Sequence, residues 1–177
     1  MSEGIGARVL RKEDKRFITG RGRYTDDIKA DKQAYAAFVR SPHAHAIIRG
    51  IDAKVAEETS GVIGVMNGSQ LTGDGIGNII CGWAISSKDG SPMNMGAWSA
   101  LATEKVRYVG DAVAVVIAES QEIARNAAEL VEVDYDVLPA VVNSVESLQN
   151  NACQIHENAP GNLIFDWEIG NLLETDE

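Results

Sequence analysis

The sequence predicts an α+β fold in which two strand–helix–strand units are separated by a long Gly-rich insertion. The uninterrupted apolar run AVAVVIA at 112–118 has the length of a strand that is covered on both faces. Residues 131–137 alternate strictly between apolar and acidic side chains, which indicates a strand with one dry face. Between them lies a helical stripe of Ile123, Ala127 and Leu130, preceded by Ser120 as a candidate N-cap.

The first unit begins with a strand predicted at Ala34–Arg40, where aromatic residues and valine are frequent. A second extended segment is expected at His43–Ile51. Between the two, Ser41-Pro42 favours a turn or bulge, because proline cannot donate a hydrogen bond to a sheet.

A short helix is expected next. Asp52 can cap it, and it is expected to run to Glu58 with Val55 and Ala56 turned inward. The run GVIGVM at 61–66 then returns as a strand, which completes the first strand–helix–strand unit.

Residues 67–104 form the Gly-rich insertion, and long loops inside compact domains are usually functional or in contact with a partner. The insertion also carries large apolar side chains, at Trp83, Met93, Met95 and Trp98. Two interpretations stay open: the loop folds over the core, or it forms an interface with another chain or domain, where Trp and Met are enriched.

Around these units the sequence predicts three regions. Residues 1–32 are expected to be an extended N-terminal arm anchored by a few apolar side chains, Val9, Leu10, Phe17, Ile18 and Tyr24. Residues 33–150 form the domain, with a short strand at 105–109 and a short helix near Ser144–Gln149. Residues 151–177 are expected to be a linker towards further domains.

Composition excludes several classes of protein. The net charge of −10 makes a broad nucleic-acid-binding face improbable on electrostatic grounds. The segment from Arg8 to Lys32 is locally basic, which fits either an arm that docks on a negative partner or a solvated tail. Cys81 and Cys153 form no disulfide framework or zinc motif. Without a secretory signal or a membrane-length apolar run, the sequence predicts a cytoplasmic protein.

No motif indicates a catalytic, cofactor-binding or metal-binding site more strongly than it indicates a structural role. His43 and His45 would share one face of a strand but lack a third metal ligand, and His156-Glu157 belongs to no motif. Gly73–Gly77 fails the dinucleotide-binding pattern, so a flexible loop is expected there. Asp134 and Asp136 are expected on the solvent face of their strand. We therefore assign no catalytic, cofactor-binding or metal-binding residue.

Four stretches, in order along the chain, resemble the large subunits of the xanthine dehydrogenase, aldehyde oxidase and carbon monoxide dehydrogenase family. They are RFITGRGRYTDD (16–27), AAFVRSPHAHAII (36–48, the family's first strand pair), VRYVGDAVAVVIAES (106–120) and AAELVEVDYDVLPAVV (127–142). The resemblance implies the α/β hammerhead domain at the start of a much longer subunit. Ser60-Gly61 and Asp111-Ala112 depart from the family's usual Pro-Gly and Glu-Pro, which leaves the substrate branch open.

In this family, the resemblance implies, molybdenum and its molybdopterin cytosine dinucleotide are held by later domains. Partner subunits carry 2Fe-2S clusters and FAD. The reaction is the hydroxylation of CO, an aldehyde or a heterocycle with oxygen from water. This portion would be a structural scaffold that docks on the molybdenum-binding domains and on the iron–sulfur and FAD subunits. The alternative is a stand-alone, non-catalytic binding or assembly module that uses the same fold.

Overall fold

The computed structural model describes residues 4–5, 11–96 and 98–170, and the chain forms two compact units, Met1–Gln33 and Ala34–Glu177. The first unit contains helix α1 (Asp14–Ile18) and a 3₁₀ turn at Thr25–Asp27. The rings of Phe17 and Tyr24 stack with their centroids 5.4 Å apart. The arm predicted as extended thus contains a short helix, because the ring stack closes the chain on itself. Val9 and Leu10 lie outside the described residues.

In its described part, the second compact unit, Ala34–Glu177, contains six strands, three helices and two 3₁₀ turns. In chain order they are β1 (Tyr35–Arg40), β2 (Ala46–Asp52), α2 (Lys54–Glu57), β3 (Val62–Asn67), α3 (Gly68–Gly73), β4 (Lys105–Val106), β5 (Ala112–Ala118), α4 (Gln121–Ala128), β6 (Glu132–Val137) and the turns Glu146–Leu148 and Pro160–Asn162. The predicted α+β class is confirmed, and the predicted strands occur in the predicted order, but α3 was not predicted and the helix expected near Ser144–Gln149 is a 3₁₀ turn.

The strands form two antiparallel sheets of three strands each, in the orders β1-β5-β3 and β4-β2-β6. The first strand–helix–strand unit, β2–α2–β3, carries the chain from one sheet to the other. The second strand–helix–strand unit, β5–α4–β6, carries it back. Because β3 pairs with β5 and β2 pairs with β6, the two units interlock. The predicted strand–helix–strand units are confirmed, but the two strands of each unit lie in different sheets. The rule that parallel strands of one sheet are joined by right-handed crossovers therefore does not apply. Strands β1 and β2 likewise belong to different sheets.

Strand β5 forms the centre of the core, and none of its residues is exposed. Val116 packs with Ala56 of α2 and Ala127 of α4, while Val113 packs with Val106 in a second cluster. Burying such apolar side chains contributes roughly 1.5–3 kcal/mol for each valine-sized residue. The uninterrupted apolar run therefore forms a strand that is covered on both faces, as the sequence predicts.

Two side chains predicted to face inward are exposed. Val55 is 59% exposed, because α2 has only four residues and turns Ala56 alone into the core. Leu130 is 42% exposed, since α4 already ends at Ala128. The predicted N-cap is confirmed, because Ser120 Oγ accepts a hydrogen bond of 3.2 Å from the Ile123 amide.

The insertion contains a helix that the sequence analysis missed. Asn67 Oδ1 accepts from the Gln70 amide at 3.0 Å, and Gln70 Oε1 accepts from the Asn67 amide at 2.8 Å. This reciprocal capping box starts α3 directly after β3. At the other end of the insertion, the strand expected at 105–109 is only two residues long. The Asp111 carboxylate accepts from the Arg107 amide there and forms a turn.

Candidate docking site

The C-terminal segment of the second unit is fastened to its body by Asn162. Its side-chain nitrogen donates to the Ser147 carbonyl at 3.0 Å and the Cys153 carbonyl at 2.9 Å, and its side-chain oxygen accepts from the Ile155 amide at 2.9 Å. Asn162 has a φ of 58°, a conformation that asparagine tolerates better than most residues. Residues 153–162 therefore follow a defined path. Whether the segment also leads towards further domains stays a prediction.

A carboxylate clamp joins the same segment to the end of β4. Glu157 accepts from Lys105 Nζ at 2.5 Å and from Arg107 Nη2 at 2.9 Å. These hydrogen bonds, with that of Lys105 the largest cause, lower the pKa of Glu157 from 4.5 to about 2. Arg107 also donates to the Ile155 carbonyl at 3.1 Å, so its guanidinium is already engaged by the protein.

A third set of contacts joins the C-terminal segment to the insertion. The Lys88 amide donates to the Asp166 carbonyl at 2.7 Å, and the Asn94 amide donates to the Ile164 carbonyl at 2.8 Å. Lys88 Nζ also lies 2.8 Å from the Asp166 carboxylate. The hydrogen bond and the neighbouring charge raise the pKa of Lys88.

These contacts surround an open cavity of about 1040 Å³. Most of its lining is aliphatic, aromatic or sulfur-containing, including Ile79, Ile80, Met93, Trp98, Val142 and Ile155. Several lining residues are strongly exposed: Ile80 is 89% exposed and Val142 is 93% exposed. Among the described residues that line it, Arg107 is the one with a charged side chain, and it already binds Glu157. We call this cavity the apolar groove.

His156 closes one side of the apolar groove. A Cβ added to Gly96 would lie 2.7 Å from its Nδ1 atom, so the glycine allows the imidazole to pack directly against the loop backbone. Burial, and next the nearby Arg107, lowers the pKa of His156 below 6.5. The imidazole is therefore neutral at pH 7 and adds no charge to the groove.

Three of the four large side chains singled out in the insertion, Trp83, Met95 and Trp98, do not pack into the core. Trp83 is 78% exposed, Trp98 is 56% exposed and Met95 is 47% exposed. Trp98 lies beside Tyr108 with ring centroids 6.4 Å apart. Of the two interpretations left open by the sequence, these exposures disfavour a loop that covers the core. Trp98 and Met95 are instead exposed in the lining of the apolar groove, and Trp83 is exposed outside that lining.

The two histidines singled out by the sequence lie just before β2 rather than on a strand. His45 is 5% exposed, and its Nδ1 atom lies 2.7 Å from the Pro139 carbonyl. His43 packs edge-on against Tyr135 with ring centroids 5.1 Å apart. The His45 Nε2 atom is buried and has no hydrogen-bond partner among the described residues. These contacts are those of core packing.

The remaining candidate residues are scattered. Asp134 and Asp136 are exposed on β6, as predicted, and Asp136 pairs with Arg49. Gly73 ends α3, and the glycines that follow it are exposed. In the part of the chain that the structure describes, no three His, Cys, Asp or Glu side chains come together in a metal-binding arrangement. No helix of that part could cross a membrane.

The described residues do not fit a molybdenum cofactor. The apolar groove has no free cationic side chain for a dinucleotide phosphate, since Arg107 is held by Glu157. Its apolar walls instead suit another protein surface. We therefore derive no chemical step in this chain.

Comparison with known proteins identifies the family. The model of the aldehyde oxidase and xanthine dehydrogenase a/b hammerhead domain matches residues 19–139. The chain is 34% identical to the carbon monoxide dehydrogenase large chain of Afipia carboxidovorans, over 98% of this chain and 22% of that one. It is 40% identical to the nicotine 6-hydroxylase large subunit of Paenarthrobacter nicotinovorans, over 82% of this chain and 17% of that one.

A solved structure of a Cu,Mo-CO dehydrogenase is also similar to it, with a TM-score of 0.74 and 32% identity over 98% of this chain and 22% of that chain. The chain thus spans about a fifth of the length of the curated relatives it matches first. The match covers both interlocked strand–helix–strand units. The chain belongs to the aldehyde oxidase and xanthine dehydrogenase family and has the fold of its a/b hammerhead domain.

Proposed function

We propose that this chain is the N-terminal scaffold portion of the large subunit of a molybdenum hydroxylase. The complete enzyme would oxidise CO, an aldehyde or a heterocycle with water as the oxygen source. Molybdopterin cytosine dinucleotide with its molybdenum would be held by the remaining domains of the large subunit. The 2Fe-2S clusters and FAD would be carried by partner subunits. This portion would supply rigidity and docking surfaces, and no catalytic residue.

The apolar groove is the observation that carries the proposal. Exposed apolar grooves with aromatic and sulfur-containing walls often bind another protein surface, because Trp and Met are enriched at such contacts. The groove joins strongly exposed residues, Ile80 and Val142, to the exposed ring of Trp98, and the exposed Trp83 lies on the same insertion. Large aromatic residues in such positions often dominate the energy of an interface.

A cytoplasmic location is part of the same proposal. Cys81 and Cys153 are both free thiols, which suits a reducing compartment. The proposal also agrees with the relatives, one of which is named as a large chain and another as a large subunit. Such names belong to proteins of more than one subunit.

Replacing both exposed tryptophans tests the docking role. The variant Trp83→Ala/Trp98→Ala is expected to weaken the association of the large subunit with the iron–sulfur subunit by roughly tenfold or more. The melting temperature of the 177-residue chain should stay nearly unchanged, because both rings are mostly in solvent. Val55→Ala, which shortens an exposed side chain on α2, is the matched control and should change neither quantity.

Two results would contradict the proposal. A collapse of the melting temperature would show that the tryptophans belong to the core. A gene that stops after codon 177, with no hydroxylase genes beside it, would favour a stand-alone assembly module. A reading frame that continues into molybdenum-binding domains, with hydroxylase activity of the assembled subunits, would support the proposed scaffold function.

A further inference from the structure

Residues 163–169 have the side-chain pattern of a β-strand. In the sequence LIFDWEI, Leu163, Phe165, Trp167 and Ile169 alternate with other residues and are 42%, 41%, 48% and 84% exposed. A period of two over this length is typical of a strand with one apolar face. The structure nevertheless assigns no strand to residues 163–169. The segment therefore has the side-chain pattern of a strand but is not paired in a sheet among the described residues.

One backbone edge of this segment is already paired. The Ile164 carbonyl accepts from Asn94, the Asp166 carbonyl accepts from Lys88, and the Asp166 amide donates to Ser87 Oγ at 3.2 Å. In a strand, the N–H and C=O groups of successive residues point to opposite edges. In that geometry the backbone groups of Phe165 and Trp167 would lie on the edge away from Lys88 and Asn94, although the Asn94 side chain also donates to the Leu163 carbonyl at 3.0 Å. Their amides have no hydrogen-bond acceptor among the described residues.

We propose that residues 163–169 are a docking strand. Its open edge, at Phe165 and Trp167, pairs with an extended segment of the rest of the large subunit, and its apolar face packs there. This inference rests on the proposed function and names the partner within it. Adding a strand to an open edge supplies main-chain hydrogen bonds, while alternate side chains supply specificity. The engaged edge holds the strand in place on the body of the second unit.

Charge and covalent linkage favour the same polypeptide as the occupant. A second copy is disfavoured because two chains of net charge −10 repel each other. On the strand itself, Lys88 offsets the charge of Asp166, so that the strand carries one unpaired carboxylate, Glu168. A segment joined to this chain would meet the open edge at an effective concentration on the order of millimolar. The relatives, about five times as long as this chain, have ample sequence for it.

Hydrogen–deuterium exchange with site resolution tests the docking strand. The amides of Phe165 and Trp167 are to be compared in the large subunit of the assembled enzyme and in the 177-residue chain. We expect exchange to be slower by about 100-fold or more in the large subunit, because paired strand amides exchange only when the ladder opens. The Asp166 amide, which already has an acceptor, is the internal reference.

Each other result overturns the inference in a recognisable way. Fast exchange of both amides in an active enzyme would contradict the docking strand but would not affect the proposed function. Protection that depends on the concentration of the 177-residue chain would identify a second copy as the occupant. Protection that appears only after the iron–sulfur subunit is added would place the partner on that subunit. If no larger subunit is encoded, both proposals fail.

Two proline variants test the edge directly. Trp167→Pro removes an amide from the open edge, whereas Glu168→Pro removes one from the opposite edge, where no acceptor is present among the described residues. We expect Trp167→Pro to abolish the protection of Phe165 in the large subunit and Glu168→Pro to preserve most of it. Both should leave the melting temperature of the 177-residue chain nearly unchanged. Equal protection of Phe165 in the two variants would contradict the docking strand.

Discussion

Glu157 Oε2 accepts a hydrogen bond of 2.9 Å from Arg107 Nη2 and so ties the C-terminal segment to the end of β4. Fifty residues separate the two partners in sequence. The same carboxylate accepts from Lys105, so that a single acidic residue binds two basic side chains, of which Arg107 lines the apolar groove. Arg107, the charged residue in the described lining of the groove, is therefore held in an ion pair.

The variant Glu157→Gln is expected to destabilise the chain at pH 7 and to have no effect near pH 2. The pKa of Glu157 is lowered in the folded state from 4.5 to about 2, so its stabilising contribution is complete above pH 4.5 and is lost as the pH falls towards 2. Because the side chain is 66% exposed, solvent limits the cost to below about 1 kcal/mol. Thermal unfolding from pH 2 to 7 measures it, with Glu146→Gln as control. A loss that is equal at both ends would show that the carboxylate charge is irrelevant.

The patterns that predicted the strands are local, and the structure confirms them. Strand β5 follows from the uninterrupted apolar run at 112–118, which is typical of a strand covered on both faces, and β6 follows from the alternation at 131–137. The pairing of strands is not local. Nothing in the periodicity of β1 and β2 tells that they join different sheets, since the choice depends on β5 and β6, which lie far along the chain.

The candidate site was harder to predict for the same reason. The exposed Trp83 and Trp98 could be named from the sequence, but the clamp at Glu157 joins segments fifty residues apart. Two misses had a visible signal. Asn67 and Gln70 form a capping box at the start of α3. Residues 163–169 alternate as a strand does, although the sequence analysis predicts a linker at 151–177.

Gly68→Ala is expected to cost about 1–3 kcal/mol of folding stability. A Cβ at this position would lie 2.5 Å from the Ala102 carbonyl oxygen and 2.7 Å from that of Leu101, and backbone atoms cannot move aside as a flexible side chain can. Gly73→Ala, in the same helix, is the matched control because no atom lies within 4 Å of its added Cβ. Denaturant unfolding should separate the two. Equal stabilities would show that α3 is not packed against residues 101–102.

Val116→Ala is expected to lower the free energy of unfolding by about 2 kcal/mol. Val116 is fully buried at the centre of β5, between α2 and α4, so the deleted methyl groups leave a cavity. Val142→Ala makes the same chemical change at a side chain that is 93% exposed, and its effect should stay within about 0.5 kcal/mol. A comparison of urea unfolding midpoints checks the difference. If the two variants are equally stable, the assignment of the core to β5 is wrong.

His156→Gln is expected to flatten the pH dependence of stability below pH 6.5. Burial and Arg107 lower the pKa of His156 in the folded state, so the unfolded chain takes up a proton first as the pH falls. The wild-type chain should therefore lose stability as the pH falls below 6.5, while the glutamine variant, which cannot take up that proton, should lose less. The difference between the two melting temperatures should be constant above pH 7.5, which serves as the internal control. Parallel curves from pH 5 to 8 would mean that the imidazole is not held neutral by its packing against Gly96.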